Sequence, residues 1–279
     1  MTTSTAEAPA SALRPATRTS WVQRLTGRQR AAIVTAEVLI VLALWEVIVT
    51  VLALVSPVFL PPPSRIVQGF ADLVTTGELW PHLGSSTTAY VIGYLLGAAA
   101  GVTLGLIIGG SSLIYKLSTP IIWSLYATPW IALRPLATVW FGFAAGPIIF
   151  LVFIASFYPV LLNTIAGVQT VNRSVINAAR VFGASRVEVF RKIALPSTFP
   201  YVLTGLRHAV VIGMIGLIVG ELTGASTGLG ALITLKTSTF KTGQAFAVII
   251  LTIIWTVGLS QLMNHIAKSR SPWLGRKEI

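Results

Sequence analysis

The chain has no cysteine. That excludes disulfides, and with them cysteine-ligated zinc and iron–sulfur centres. Histidine does not fill the gap: the three, His82, His208 and His265, are scattered without metal-ligand spacing. Charge is also scarce, at 10% of residues against roughly one quarter in soluble domains. Acids are scarcest, with eight Asp and Glu in 279 residues, and no paired carboxylates, H-E-x-x-H or G-x-S-x-G pattern supports an intramembrane enzyme. The phosphate-cradling pattern G-x-x-x-x-G-K-[ST] is missing too. Residues Gly224–Gly230 read GASTGLG, but neither the lysine nor the following hydroxyl is there. The chain therefore has no nucleotide site of that type, and its residues imply no cofactor.

What is abundant is apolar surface, 54% of residues, laid out in long uncharged runs. Such runs make an integral membrane protein, all-α, because an uncharged apolar stretch of about 20 residues has the length of a membrane-spanning helix and satisfies its own backbone in lipid. Length suits one domain of six transmembrane helices, within residues 31–268. Residues 1–30 are expected to form a disordered basic tail, rich in Thr, Ser, Ala and Pro toward its start. The run after it, about 31–55, is too long for a signal-peptide core and lacks a small-residue cleavage site, so it reads as span one. Residues 56–85 form an external connection in which Pro61-Pro62-Pro63 is stiff. A helix capped by Ser64 follows, with Ile66, Phe70, Leu73 and Val74 on one face, lying on the membrane surface or against the bundle.

Span two, about 86–110, carries Gly93, Gly97, Gly101, Gly105 and Gly109, a small-residue ridge for close helix approach. Span three, about 119–139, is interrupted by Pro120, Pro129 and Pro135, as in broken helices that line pathways. An uncharged turn from Trp140 to Pro147 leads to span four, ending near 166; spans five and six cover about 199–222 and 244–266. Between the last two, Gly224–Gly230 reads as a flexible external loop, and Lys236 and Lys241 flank a polar patch. In span five Gly205, Ala209 and Gly213 make one small-residue row, and Gly216, Gly220 and Gly224 another.

The net charge of +12 is distributed unevenly. Five arginines precede span one, Lys116 follows span two, five basic residues lie in 171–196, and four, Lys268, Arg270, Arg276 and Lys277, close the chain. Only Arg65, Lys236 and Lys241 fall on the opposite side. Six spans with both termini cytoplasmic satisfy the positive-inside rule, and place 171–196 in the cytoplasm.

That segment, VNRSVINAARVFGASRVEVFRKIALP, organises the chain. Asn172 or Ser174 caps a first helix that ends at Gly183. Ser185 and Glu188 form a capping box for a second, which Pro196 is expected to stop. On charge alone the segment is either this helix–turn–helix or a solvated basic loop. Asn177-Ala178-Ala179, then Gly183, Ile193 and Leu195-Pro196 resemble the EAA motif of ABC importer permeases. Leu60-Pro61, Ala127-Thr128-Pro129, Trp140-Phe141-Gly142, Gly205-Leu206-Arg207, Glu221 and Gly228-Leu229-Gly230 recur in order in permeases of the nitrate/sulfonate/taurine type. The similarity covers roughly residues 40–270, and the motif's leading Glu is Asn177 here, which keeps the size but not the charge.

The resemblance implies a type I ABC importer-like transmembrane domain in a bacterial plasma (inner) membrane. It also implies partners: an ABC ATPase subunit docked on 171–196 through Asn177, Ala178, Ala179, Gly183, Ser185, Arg186, Ile193 and Pro196, an extracytoplasmic substrate-binding protein, and a second permease copy. The implied cargo is a small anion such as a sulfonate, taurine or nitrate, with pyrimidines, riboflavin-like compounds and aromatic acids as alternatives.

Ionisable residues inside apolar runs are Glu37, Glu46, Arg134, Arg207 and Glu221, each a functional candidate because intramembrane charge is costly. Glu37 and Arg207 fall near cytoplasmic span ends, where Arg207 can snorkel. Glu221 falls at the external end of span five, where exposure is expected. Arg134, directly before Pro135, either meets an anionic substrate, pairs with Glu46 or snorkels. Thr128, Arg134, Trp140 and Glu221 are the pathway candidates. The competing reading is an ATP-independent secondary transporter, which needs proton- or sodium-relaying groups and favours an inverted repeat; no repeat stands out between the halves.

Overall fold

The computed structural model describes residues 27–270, and every regular element among them is helical. Most of the tail expected at 1–30, and Trp273, Arg276 and Lys277, lie outside the described residues. The first helix is a unit of its own: α1 (Gly27–Glu46) continues into a π turn, Val47–Val51, and the stretch Ala31–Val51 is long and apolar enough to cross a membrane.

The second unit is built on three helices, α3 (Leu79–Gly110), α6 (Gly146–Gln169) and α9 (Leu195–Leu222). Its closest contact comes from the α3 glycines. A Cβ on Gly93 would stand 2.7 Å from the Ile149 carbonyl and on Gly97 2.6 Å from that of Phe153; on Gly101 and Gly105 it would meet the Cβ atoms of Val160 and Thr164 at 2.8 and 2.6 Å. The spacing of four on α3 meets a spacing of four on α6, so the ridge is a continuous backbone-to-backbone seam. On an adjoining face of α6, Gly205, Gly213, Gly216 and Gly220 of α9 also pack closely, against backbone at Gly205 and Gly216 and against side chains at Gly213 and Gly220. Gly224 does not continue that row, because α9 ends at Leu222. Two tyrosines tie α3 to α9: Tyr90 donates to the Val210 carbonyl at 3.0 Å and Tyr94 to that of Leu206 at 3.1 Å. A core of Ala89, Tyr90, Ile148, Val152, Met214 and Leu217 fills the junction.

Around this trio lie α2 (Pro63–Thr75), α10 (Leu229–Ser238) and α11 (Thr242–Arg270). Ser64 does not cap α2; the helix starts one residue earlier, with Pro63 at its first position, where the missing N–H costs nothing. Its buried face, Ile66, Gly69 and Leu73, packs against α11, which settles the choice between membrane surface and bundle. A Cβ on Gly69 would stand 2.8 Å from the backbone of Gly243 and Gln244.

The third expected span is in pieces: α4 (Ser112–Tyr126), a short 3-10 turn (Trp130–Leu133) and α5 (Arg134–Phe141). Pro120 is accommodated inside α4, whereas Pro129 and Pro135 coincide with the two breaks. Five other helical stretches among the described residues are long and apolar enough to cross a membrane: 31–51, 79–110, 146–169, 186–222 and 242–267.

Candidate functional site

The cytoplasm-assigned segment forms two helices on either side of Gly183, as expected. Asn172 caps α7 (Arg173–Val181), its Oδ1 accepting from the Ser174 N–H at 2.8 Å. The helix closes in a left-handed turn. Gly183 has φ +85°, its N–H donates to the Arg180 carbonyl, and the Ala184 N–H reaches back to Ala179. These two bonds are the Schellman pair, which needs a positive φ at this position. Ser185 then opens α8 (Arg186–Val189) with a complete capping box: its Oγ accepts from the Glu188 N–H, and Glu188 accepts from the Ser185 N–H. That backbone bond and Lys192 at 3.1 Å hold the Glu188 carboxyl well below the usual carboxylate range.

Pro196 does not stop the second helix. After α8 the chain widens into a π turn, Phe190–Ala194, and runs through Pro196 into α9 without a break. A proline needs room at the carbonyl four residues back, and the wider turn before it provides that room. The continuous helix Arg186–Leu222 has 37 residues, about 55 Å at 1.5 Å per residue. The hydrocarbon core is only about 30 Å thick, so α8 and the π turn project from it.

Among the motif residues, Asn177, Ala178, Ser185 and Arg186 are exposed, Ala179 and Ile193 are half-buried, and Pro196 is exposed at the start of α9. Beside them the structure exposes two apolar side chains that sequence reading had not singled out. Val181 and Phe182, at the tip of α7, are 85% and 90% accessible. The signal was present, since both fall in the turn just before Gly183.

At the opposite end, Glu221 is not exposed as expected but 1% accessible. Its Oε1 accepts from Ser86 Oγ at 2.7 Å and its Oε2 from the Gly230 N–H at 2.8 Å. Ser86 Oγ in turn accepts from the Leu229 N–H at 2.8 Å. The His82 ring lies 2.9 Å from the Gly228 carbonyl oxygen, and Ser85 and Thr227 share a hydroxyl bond of 3.1 Å. The glycine-rich loop is therefore pinned to α3 rather than free. A Cβ on Gly228, at φ +122°, would run into the Glu221 carboxylate. The stretch after the loop forms helix α10, and Lys236 near its end is buried, 2.6 Å from Glu78, while the residues between Lys236 and Lys241 are exposed.

The remaining pathway candidates do not converge on Glu221. Arg134 is half-buried beside Gly224, whose Cβ position lies 3.3 Å from its Nη1, and its Nε is buried without a hydrogen-bond partner. Trp140 is 58% accessible and meets Phe150 edge-on at 5.8 Å, while the Thr128 hydroxyl, just past α4, donates back to the Ser124 carbonyl in its last turn. No clustered His, Asp and Glu set for a metal occurs among the described residues.

Residues 101–272 match the family described as binding-protein-dependent transport system inner membrane component. The chain belongs to that family. An aliphatic sulfonates transport permease, SsuC of Bacillus subtilis, is 34% identical over 85% of the permease and 86% of the relative. The taurine transport permease TauC of Escherichia coli is 32% identical over 92% and 94%. A solved amino acid ABC transporter superposes with a TM-score of 0.59 at 18% identity, covering 72% of this chain and 98% of that one, which supports the type I importer fold. The permease is thus a multi-pass inner-membrane subunit of an ABC importer, of the sulfonate, taurine and nitrate type. Membership leaves the secondary-transporter alternative without support.

Proposed function

We propose that the permease forms the translocation pathway of an ATP-driven importer for a small organic or inorganic anion, as a pair of copies each docked on an ATPase subunit through residues 171–196. The observation that carries the docking assignment is the pairing of an exposed apolar tip, Val181 and Phe182, with a helix that continues unbroken from the docking segment into α9. Exposed apolar side chains side by side at the end of a short helix favour a protein partner. A continuous helix then transmits the partner's displacement as a rigid rod into the core, where α9 packs on α6. Six crossings complete the topology, the broken segment α4–α5 serving as the third, so that both termini and 171–196 share the cytoplasmic side.

For cargo, the names of the relatives point to sulfonates and taurine. Within the helical bundle, Arg134 and Arg207, each with a buried Nε lacking a hydrogen-bond partner, are suited to an anionic cargo. The test is uptake by proteoliposomes holding the permease with its ATPase and binding protein. Taurine, an alkanesulfonate and nitrate are offered with and without ATP. Accumulation of one of them that requires ATP and the binding protein is expected; uptake without ATP would overturn the proposal.

A further inference from the structure

Behind the docking helices is a cavity of about 760 Å³. It opens where the bundle helices end: Gly110 of α3, Ser112 of α4 and Gln169 of α6 line it. Lys116, Arg173, Arg180 and Arg186 also line it, and no acidic side chain does. None of these four cations forms an ion pair among the described residues; the one acid of the docking helices, Glu188, is held by Lys192. Four like charges around one hollow repel each other and create a positive potential that an anion relieves. The wall between them is apolar, with Val189 buried and Phe190 beside it. Charged rim, apolar wall and position at the ends of membrane helices are together the chemistry of a lipid headgroup site on the cytoplasmic face.

We propose that this cavity binds the phosphate headgroup of an anionic phospholipid of the cytoplasmic leaflet. Lys116 belongs to the bundle and the three arginines to the docking helices, so the bound headgroup bridges the joint between them and steadies the pose in which the ATPase is met. The inference rests on the cytoplasmic placement of 171–196, yet it concerns the face of that segment turned away from Val181 and Phe182.

The test is native mass spectrometry of the full-length permease, titrated with phosphatidylglycerol, with phosphatidylcholine and, separately, with inorganic phosphate. Phosphatidylglycerol should bind at least tenfold more tightly than phosphatidylcholine. Each removed cation should weaken it roughly fivefold, so the combined Arg173→Gln, Arg180→Gln, Arg186→Gln variant should lose about a hundredfold. The corresponding triple lysine variant should retain binding, and Arg65→Gln, on the other side, should not change it. If the triple glutamine variant does not fold, Lys116→Gln, an exposed change, carries the same comparison with a fivefold loss. Equal binding of the two lipids, no effect of the cation substitutions, or saturable inorganic phosphate without lipid preference would each overturn the proposal. ATPase capture by the wild-type permease, measured alongside, tests the docking assignment independently of the lipid result.

Discussion

Replacing Gly101 with leucine tests the α3–α6 seam on which the bundle is built. At this position even a bare Cβ would lie 2.8 Å from the Val160 Cβ and 2.9 Å from the Phe157 carbonyl oxygen. Carbon atoms pack at about 3.5–4.0 Å, so the two helices must part by roughly 1 Å before the rest of the leucine is placed. The Phe157 oxygen is backbone and cannot rotate away. Parting the helices also strips the contacts at Gly97 and Gly105 above and below. Overpacking of this kind typically costs about 1–3 kcal/mol, and a leucine in a backbone seam belongs at the upper end. Helix propensity works in the opposite direction, since glycine to alanine inside a helix gains about 1 kcal/mol. Gly258 supplies the control, because a Cβ there meets nothing within 4 Å. Gly258→Ala should be neutral or stabilising, Gly101→Ala destabilising despite the same propensity gain, and Gly101→Leu worse still. Thermal unfolding of the detergent-purified permease, with membrane abundance alongside, reads the series. Equal melting temperatures for Gly101→Leu and Gly258→Leu would refute the seam.

Three further outcomes follow from the site geometry. Glu221→Gln keeps one acceptor but turns an N–H₂ toward Ser86 or the Gly230 N–H, so it should cost about 1–3 kcal/mol locally and speed hydrogen exchange at residues 224–230 while the seam stays protected. Arg134→Gln should lower the uptake rate of an anionic substrate with ATPase assembly intact; unchanged uptake kinetics would remove Arg134 from the pathway. Ser185→Ala removes the cap of α8 and should cost about 1 kcal/mol, seen as faster exchange at Arg186–Glu188 and reduced substrate-stimulated ATP hydrolysis.

The glycine ridge, the Asn172 cap, the Gly183 turn and the Ser185–Glu188 box were legible in the sequence because each is a local rule with a short reach. What was not legible depended on long-range packing. Pro196 reads as a helix stop from its chemistry, whereas in the structure the chain widens into a π turn before it and the helix continues. Glu221 reads as an exposed carboxylate at a span end, since Ser86, 135 positions away, gives no local hint that it will donate to it. Helix α10 was hidden because its apolar and polar residues show no clean period, and Lys236 is buried only because Glu78 meets it.

The central claim, that residues 171–196 are a shaped element that receives the ATPase, is tested most directly at Gly183. Its φ is +85° and a Cβ would meet nothing within 4 Å, so the only penalty for valine is backbone strain, about 1–2 kcal/mol, confined to the turn. Gly183→Val should leave insertion and melting temperature near wild type while ATPase pull-down and substrate-stimulated ATP hydrolysis in the reconstituted complex both fall. Gly183→Asn, which tolerates left-handed φ, should be milder. Wild-type pull-down and hydrolysis with Gly183→Val would contradict the assignment of this segment as the ATPase-docking element.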